Sequence, residues 1–271
     1  MTLSVVIITL DEEENLARTL KSVEGLVRDL GGEIIVVDSG STDRTLEIAR
    51  SFGAKVFVEE WKGYAAQKNS AFAKAGGAWV LSLDADEELD PLLAAQISAL
   101  QLGPAHMPKK ICATLNASEG FQPLGYWIAR KNLFLGRWIK HGGFWPDRKL
   151  RLFRRDAGKV KESAVHETIT VSGPTGTLKG ALIHHAYPTL DSYIEHMNRY
   201  SSLGAQMAGP RAFSLLDICI RPRLTFFYNY FLRLGFLDGR EGLLLHLYHS
   251  AYVSWKYAKA WELSRKNRRG S

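Results

Sequence analysis

LSVVIITLDEEENL, residues 3–16, decides the fold class. Its first seven residues form an unbroken and largely β-branched run, the pattern of a strand covered on both faces, as parallel strands are. Asp11 and Glu14 then read as a capping pair opening a helix through about Leu30. Working outward, the same alternation recurs. EIIVVD (33–38) is a second buried strand, Thr42 caps a helix over Arg44–Phe52, and Lys55–Val58 is a short third strand. Tyr64–Ala75 is helical, WVLSL (79–83) is a fourth strand, and Pro91 suits the first turn of a helix ending near Leu102. Four rounds of strand and helix predict an open, mostly parallel α/β sheet, with residues 1–103 as a nucleotide-binding half-domain.

Past Gly103 the pattern changes. Pro104–Lys110 reads as a loop, and Tyr126–Leu135, Lys149–Phe153 and Glu167–Val171 read as strands joined by Gly/Pro-rich turns, with a more antiparallel character. From Leu190 the sequence turns helical, over Ser192–Met207, then Phe213–Leu237 with a break at Pro222, then Gly242–Arg265. The expected division is therefore 1–103, 104–189 and a helical extension, 190–271.

The 271 residues, 46% hydrophobic, are enough for a substantial core. Cys112 and Cys219 are the only cysteines and have no metal-ligand spacing, so neither a disulfide framework nor a zinc site is expected. The N-terminal run lacks a basic leader and is soon followed by acids, which argues against a signal peptide and for the cytoplasm. The net charge of +7 is uneven: residues 1–206 hold 24 basic and 24 acidic side chains, residues 207–271 hold 11 and 4. A basic last quarter favours polyanions such as anionic headgroups, phosphorylated substrates or nucleic acid.

Open α/β sheets bind ligands beyond the carboxyl ends of their strands. The first strand ends in Thr9, Leu10, Asp11 and Glu12, the second in Asp38 and SGSTD, the fourth in Asp84-Ala85-Asp86. Carboxylates gathered on one edge repel unless a cation lies between them, and Mg2+ or Mn2+ completed by water and a diphosphate is the natural occupant. No GxGxxG follows the first strand and no GxxxxGK[ST] occurs, which argues against dinucleotide dehydrogenases and P-loop NTPases.

SVVIITLDEEENL, VVDSGSTDRT and GYAAQKNSAFAKAGGAWVLSLDADEEL, in this order, resemble the family 2 glycosyltransferases, which have the GT-A fold and nucleotide-diphosphate-sugar donors. RLFRRDAGKVKESAVHE, LIHHAYPTLDSYIEHMNRYS and RLGFLDGREG resemble the subgroup that adds glucose to the lipopolysaccharide inner core. The resemblance implies that Thr9, Leu10 and Glu12 lie beside uracil and ribose, that Asp38 accepts the base N–H, and that Lys68 sits near base or phosphate. Asp84 and Asp86 would form the DxD element on ribose and metal. Inverting transfer needs a carboxylate to take the acceptor proton, and Glu167 is the candidate, oriented by His166. Among Arg148, Arg151 and Arg154, Arg151 is assigned to the donor diphosphate. His184 and His185 fall where some relatives supply a third metal ligand, and His185 is taken as that ligand.

Phe213–Leu237 mixes aromatic and aliphatic residues with Arg221, Arg223 and Arg233, and Tyr248, Tyr252 and Trp255 share a helical face. Neither stretch is apolar enough to span a bilayer. Both suit peripheral contact with the inner face of a cytoplasmic membrane, where a glycan or glycolipid acceptor is found. Two other classes are weighed against the transferase. A sugar-nucleotide-forming nucleotidyltransferase would need a glycine-rich basic loop where TLDEEEN stands. A non-catalytic nucleic-acid-binding module would need a recognition motif that is absent, and its phosphates would meet an acidic edge. The expectation is a metal-assisted inverting enzyme with UDP-glucose as donor and no nucleic-acid partner.

Overall fold

β1 (Leu3–Thr9) alternates its side chains between two helical layers, which is why every position is apolar or small. Leu3, Val5 and Ile7 pack with Leu16, Leu20 and Val23 of α1 (Leu16–Asp29) and with Leu93 and Ile97 of α4 (Pro91–Leu100). Val6 faces the other way, onto Ala71 and Phe72 of α3 (Tyr64–Ala73). β2 (Glu33–Asp38) repeats the division, with Ile34 and Val36 in one layer and Ile35 and Val37 in the other. Each such side chain contributes about 1.5–3 kcal/mol on burial, so the two layers fix the register of these strands.

The computed structural model describes residues 2–100, 123–161, 168–207 and 214–269, side chains at 215 and 266–269 excepted. His166, Glu167, Cys112 and the expected Pro104–Lys110 loop lie outside them. The chain divides into two compact units, one of residues up to Arg130 with Asp147–His184, the other of Lys131–Pro146 with the residues from His185 onward.

In the first unit, α2 (Thr45–Ser51) leads to β3 (Lys55–Val58), and β4 (Trp79–Asp84) to the short β5 (Glu87–Leu89). β6 (Gly125–Phe134), β8 (Asp147–Arg154) and the long β11 (Thr175–Tyr187) complete the sheet, in the order β3-β2-β1-β4-β8-β6-β11-β5. β1 pairs in parallel with β2 and β4, whereas β4–β8, β6–β8 and β11–β5 are antiparallel. The result is the open mixed α/β sheet expected, parallel in its first half and antiparallel in its second. β9 (Gly158–Lys161) and β10 (Thr168–Val171) form a separate ribbon.

Local expectations fail where hydrogen bonding outweighs periodicity. Asp11 does not cap α1, which starts at Leu16 after Asn15; with φ of 51° it turns the chain toward the loop after β2. Thr42 does not cap α2, and the Asp43 carboxylate instead accepts the Thr45 N–H at 2.9 Å.

The second unit holds α5 (Leu190–Met207), α6 (Leu215–Phe227), a π-helical turn (Tyr228–Leu232), a 3-10 turn (Gly235–Asp238) and α7 (Gly239–Arg269). It also holds β7 (Arg137–Trp138), which pairs with Leu133 and Phe134 across a Leu135–Gly136 turn in which both residues have positive φ. Phe134, Ile139, Tyr193, Met197 and Leu245 form its core. Tyr248, Tyr252 and Trp255 pack against that core, so the interfacial face read from their spacing is an internal one. α6 runs through Pro222 without breaking. Proline removes one intrahelical N–H, and the Ser254 hydroxyl donates to the Ile218 carbonyl at 3.1 Å in its place. Its exposed stripe is Leu216, Ile220, Leu224 and Phe227. No described helix is long and apolar enough to cross a membrane.

Candidate active site

The parallel registers set Thr9 beside Asp38 and Ile8 beside Asp84, so three neighbouring strands release their following residues on one sheet edge. Asp38 is fully buried there. Its Oδ1 accepts the N–H groups of Gly40 (2.9 Å) and Ser41 (2.8 Å), and its Oδ2 accepts the hydroxyls of Thr9 (2.9 Å) and Ser41. Four donors fill the four lone-pair positions of a carboxylate. Asp38, read as the acceptor of a base N–H, thus organises the 39–43 loop, and a base reaches it only by replacing one of these donors.

That loop is laced to the acids after β1. The Asp11 N–H donates to Ser41 Oγ (2.8 Å), the Thr42 N–H to Asp11 Oδ1 (2.8 Å), the Glu12 N–H to Thr45 Oγ1 (2.8 Å) and the Glu13 N–H to Asp43 Oδ2 (3.0 Å). Two loops distant in sequence become one braced rim, with Leu10 half exposed on it. Burial raises the Glu12 carboxyl, an Asn15 hydrogen bond partly offsets this, and the charges of Asp86, Asp43 and Asp84 raise it further.

Below the rim lies a charge lattice. Lys68 of α3 places Nζ 3.0 Å from Asp84 Oδ1. Arg151 of β8, 5% exposed, binds Asp84 and reaches Glu87 Oε1 at 2.7 Å. Glu87, fully buried, also accepts the Asp84 N–H (3.0 Å) and meets Arg130 Nη1 at 3.3 Å, while Arg130 Nη2 lies 2.6 Å from Asp147. Burial opposes the Asp84 charge, yet Arg151 and Lys68 hold the carboxyl well below the usual range. Arg151 is raised in turn, its own burial outweighed by Asp84 and Glu87.

Asp86 faces a different partner. β11 pairs with β5 so that His184 stands opposite Glu87, and His184 Nε2 comes 3.2 Å from Asp86 Oδ2. Burial pushes the imidazole down, but the Asp86 charge and hydrogen bond raise it on balance; Asp86 is lowered, burial being overcome by His184.

The structure brings together Thr9 with Asp38, and Lys68, Asp84 and Arg151. It sets His184 rather than His185 at Asp86. Arg154 pairs with Asp156 at 2.6 Å and Arg148 is exposed, so of the three arginines Arg151 alone joins the lattice. Sequence reasoning missed Glu87 and Arg130. Glu87 follows the DAD run directly, but only the β5–β11 pairing reveals that it is buried.

The sequence profile of Glycosyl transferase family 2 matches residues 4–159, from β1 to β9. The chain belongs to glycosyltransferase family 2. The matched span ends before α5 and takes in Lys131–Pro146 of the second unit as well as the first unit up to Lys159. The lipopolysaccharide core biosynthesis glycosyltransferase LpsC of Rhizobium meliloti is 32% identical over 249 residues, covering 88% of this chain and 82% of that one. An uncharacterised glycosyltransferase of Rickettsia typhi is 30% identical over 278 residues, covering 98% and 89%. Among solved structures, S. aureus TarS in complex with UDP is 15% identical, covers 100% of this chain and 92% of that one, and superposes with a TM-score of 0.48.

A divalent cation was expected from the acidic edge. Among the described residues no three acid, histidine or cysteine side chains already form a cage. The donor set nevertheless fits a cation completed by substrate oxygens: Asp86 and His184 are adjacent, partly exposed and not locked by arginine, whereas Asp84 is.

Proposed function

We propose that this glycosyltransferase moves a hexose, glucose in the simplest case, with inversion from a UDP-sugar to a lipopolysaccharide-core glycan at the cytoplasmic face of a membrane. One observation carries the reading: at the carboxyl ends of β1, β2 and β4, acids sort into Asp38 and Asp84, held by several donors or cations, and Asp86, which pairs with His184 and among the described residues meets no arginine or lysine. A similarity over most of its length to a protein named for lipopolysaccharide core biosynthesis supports the acceptor class. The stripe Leu216, Ile220, Leu224 and Phe227, flanked by Arg221 and Arg223, supports peripheral membrane contact.

In this reading the braced rim of Thr9, Leu10 and Glu12 receives the nucleoside, and Lys68 and Arg151 hold Asp84 in the orientation from which it meets the ribose. Asp86 and His184 are the residues that would hold Mg2+ or Mn2+. A bound divalent cation neutralises charge that develops on the departing diphosphate. Glu167 takes the proton of the attacking hydroxyl, the role the family resemblance implies, and His166 orients it.

The test is a pair of substitutions read by two assays. Asp86→Ala is expected to abolish Mn2+-dependent UDP binding in calorimetry. Glu167→Gln is expected to bind UDP as the wild type does and to lose transfer by at least about a hundredfold, the scale of a missing general base. Full turnover by the Glu167→Gln protein, or Mn2+-dependent UDP binding by the Asp86→Ala protein, overturns the assignment concerned.

A further inference from the structure

The second unit contains a concave site of about 370 Å³ whose walls include Lys140, His141, Trp145 and Arg233, with Leu232 and Leu234 at one side. Lys140 to Trp145 fall within the span the family profile matches and Arg233 lies beyond it, and the family reading assigns none of these residues a role. Its construction is specific. Asp238, 2% exposed, accepts the N–H groups of Lys140 (3.1 Å) and His141 (2.8 Å) and meets His141 Nδ1 at 3.0 Å. One buried carboxylate thus pins the main chain that carries two of the wall residues. The Gly142 N–H donates to the Arg233 carbonyl at 2.9 Å, tying the opposite wall to the same loop. Gly143 has φ of 88°, and a Cβ there would lie 2.2 Å from Arg233 Nη1. Only glycine allows the guanidinium to rest against this loop.

The charges are held over rings rather than over acids. Lys140 Nζ lies 4.4 Å from the Trp138 ring centroid and the Arg233 guanidinium 4.9 Å from that of Tyr228. Trp138 and Trp145 pack edge to face at 5.1 Å. Among the described residues neither Lys140 nor Arg233 has a carboxylate within ion-pair distance, and Asp238 is committed to His141 and the loop. Every cation of the first unit's lattice is neutralised by an acid, so a cleft with two unneutralised cations beside a tryptophan is a feature to be explained. Cation–π contact orients a charge without cancelling it, and an indole at the wall offers a face to an apolar sugar surface.

We propose that this cleft binds an anionic sugar, one carrying a phosphate or a carboxylate, with Lys140 and Arg233 on the anion and Trp145 against the ring. Resting on the transferase reading, that sugar belongs to the acceptor glycan, and the cleft selects acceptors by charge rather than by the hydroxyl that reacts. The shared chemistry, an anionic oxygen group, also occurs in lipid headgroups, and the experiment separates the two.

The full-length protein is titrated by ligand-observed NMR with glucose 6-phosphate, glucuronate and uncharged glucose. The two anionic sugars are expected to bind and glucose to bind at least about tenfold more weakly, with Lys140→Ala and Arg233→Ala each weakening the anionic sugars by about tenfold. Lys140→Arg is expected to keep binding, which a merely structural lysine would not predict. In transfer assays with delipidated core oligosaccharide, the alanine variants are expected to raise the acceptor KM about tenfold while kcat and UDP affinity stay within twofold. Equal binding of glucose, or an unchanged acceptor KM in the Lys140→Ala Arg233→Ala protein, overturns the proposal. Displacement of glucuronate by glycan-free phosphatidylglycerol vesicles overturns it in favour of a headgroup site. If the sugars bind as described but the wild type transfers to no anionic acceptor, the cleft stands and the acceptor assignment fails.

Discussion

The charge lattice of the first unit and the cleft of the second treat positive charge in opposite ways. In the first, Arg151 and Lys68 are buried, Arg130 is half-buried, and each meets a carboxylate, so the ion pairs hold one another in place. In the second, Lys140 and Arg233 are exposed and lie over aromatic rings. In the proposed reading the difference separates two kinds of recognition: a small donor with fixed geometry needs side chains that do not move, and a larger partner needs charge left available. The comparison predicts unequal costs for removing a cation. Arg151→Met leaves Asp84 and Glu87 facing each other in a buried site and is expected to destabilise by about 3–5 kcal/mol in urea unfolding, the usual penalty for an orphaned buried charge. Lys140→Ala is expected to change stability by less than about 0.5 kcal/mol. Equal effects would mean that the lattice is not what stiffens the first unit.

The second break concerns apolar surface. α6 shows Leu224 and Phe227 to solvent, both more than half exposed, while Tyr252 and Trp255 of α7 are packed inside. Leu224→Asp with Phe227→Asp is expected to lower sedimentation with anionic vesicles by at least tenfold, since each side chain transferred from water contributes about 1.5 kcal/mol or more. Unchanged sedimentation would assign the stripe to a protein partner. Salt alone is expected to weaken binding only in part, because Arg221 and Arg223 supply the screened share.

These contrasts explain what was legible beforehand. β1, β2 and β4 were readable because a strand sandwiched between helical layers is continuously apolar, and the acids at their ends follow from topology. Glu87 and the approach of His184 to Asp86 were not, because they depend on β11 pairing with β5 across some 90 residues of chain, and Arg130 was not, because it depends on the β6–β8 register that sets it beside Asp147. β11 itself, TGTLKGALIHHAY, alternates weakly and is interrupted by two glycines. The faces of α7 were misread for a related reason: amphipathic spacing identifies an apolar stripe but not what covers it. Pro222 looked like a break because the compensating hydroxyl, on Ser254, lies 36 residues beyond the Ile218 carbonyl it serves.

A third difference is in acid response. Burial pushes the His249 imidazole down to about 4, with His246 and Lys256 adding to the effect, and Phe144 and Tyr252 pack around the ring. The folded chain therefore keeps His249 neutral where the unfolded chain, with a value near 6.5, takes a proton. Its stabilising contribution is complete above about pH 6.5 and is lost as the pH falls toward 4. The second unit is expected to lose about 2 kcal/mol between pH 7 and pH 5 from this group, and His249→Phe to remove most of that slope. Carboxylates of the first unit such as Glu33 respond lower: burial raises this carboxyl, but hydrogen bonds from Lys55, Ser4 and the Gly76 N–H bring it to about 2. Its contribution is lost only as the pH falls from about 4.5 toward 2. Urea midpoints of wild type and His249→Phe at both pH values decide the matter; parallel lines would remove His249 from the account.

The smallest effect tests how the helical unit tolerates its proline. In an uninterrupted helix residue 222 would donate its N–H to the Ile218 carbonyl, and proline leaves that oxygen without its intrahelical partner. The Ser254 hydroxyl takes the place of that donor, and the Ser250 hydroxyl donates to the Pro222 carbonyl at 2.9 Å one turn further on. Ser254→Ala should therefore cost about 1 kcal/mol, the scale of one net hydrogen bond, by leaving a partly buried carbonyl unmatched. In a Pro222→Ala background the backbone N–H returns to the Ile218 carbonyl, and the same serine substitution should cost only a few tenths of a kcal/mol. The difference between the two costs is a coupling energy between positions 222 and 254, measured by a double-mutant cycle in urea. A coupling near zero would mean that the hydroxyl merely fills space, whereas a coupling near 1 kcal/mol would show that proline and serine act as a matched pair. The pair would then let the exposed apolar stripe on α6 continue past residue 222 without losing helical register.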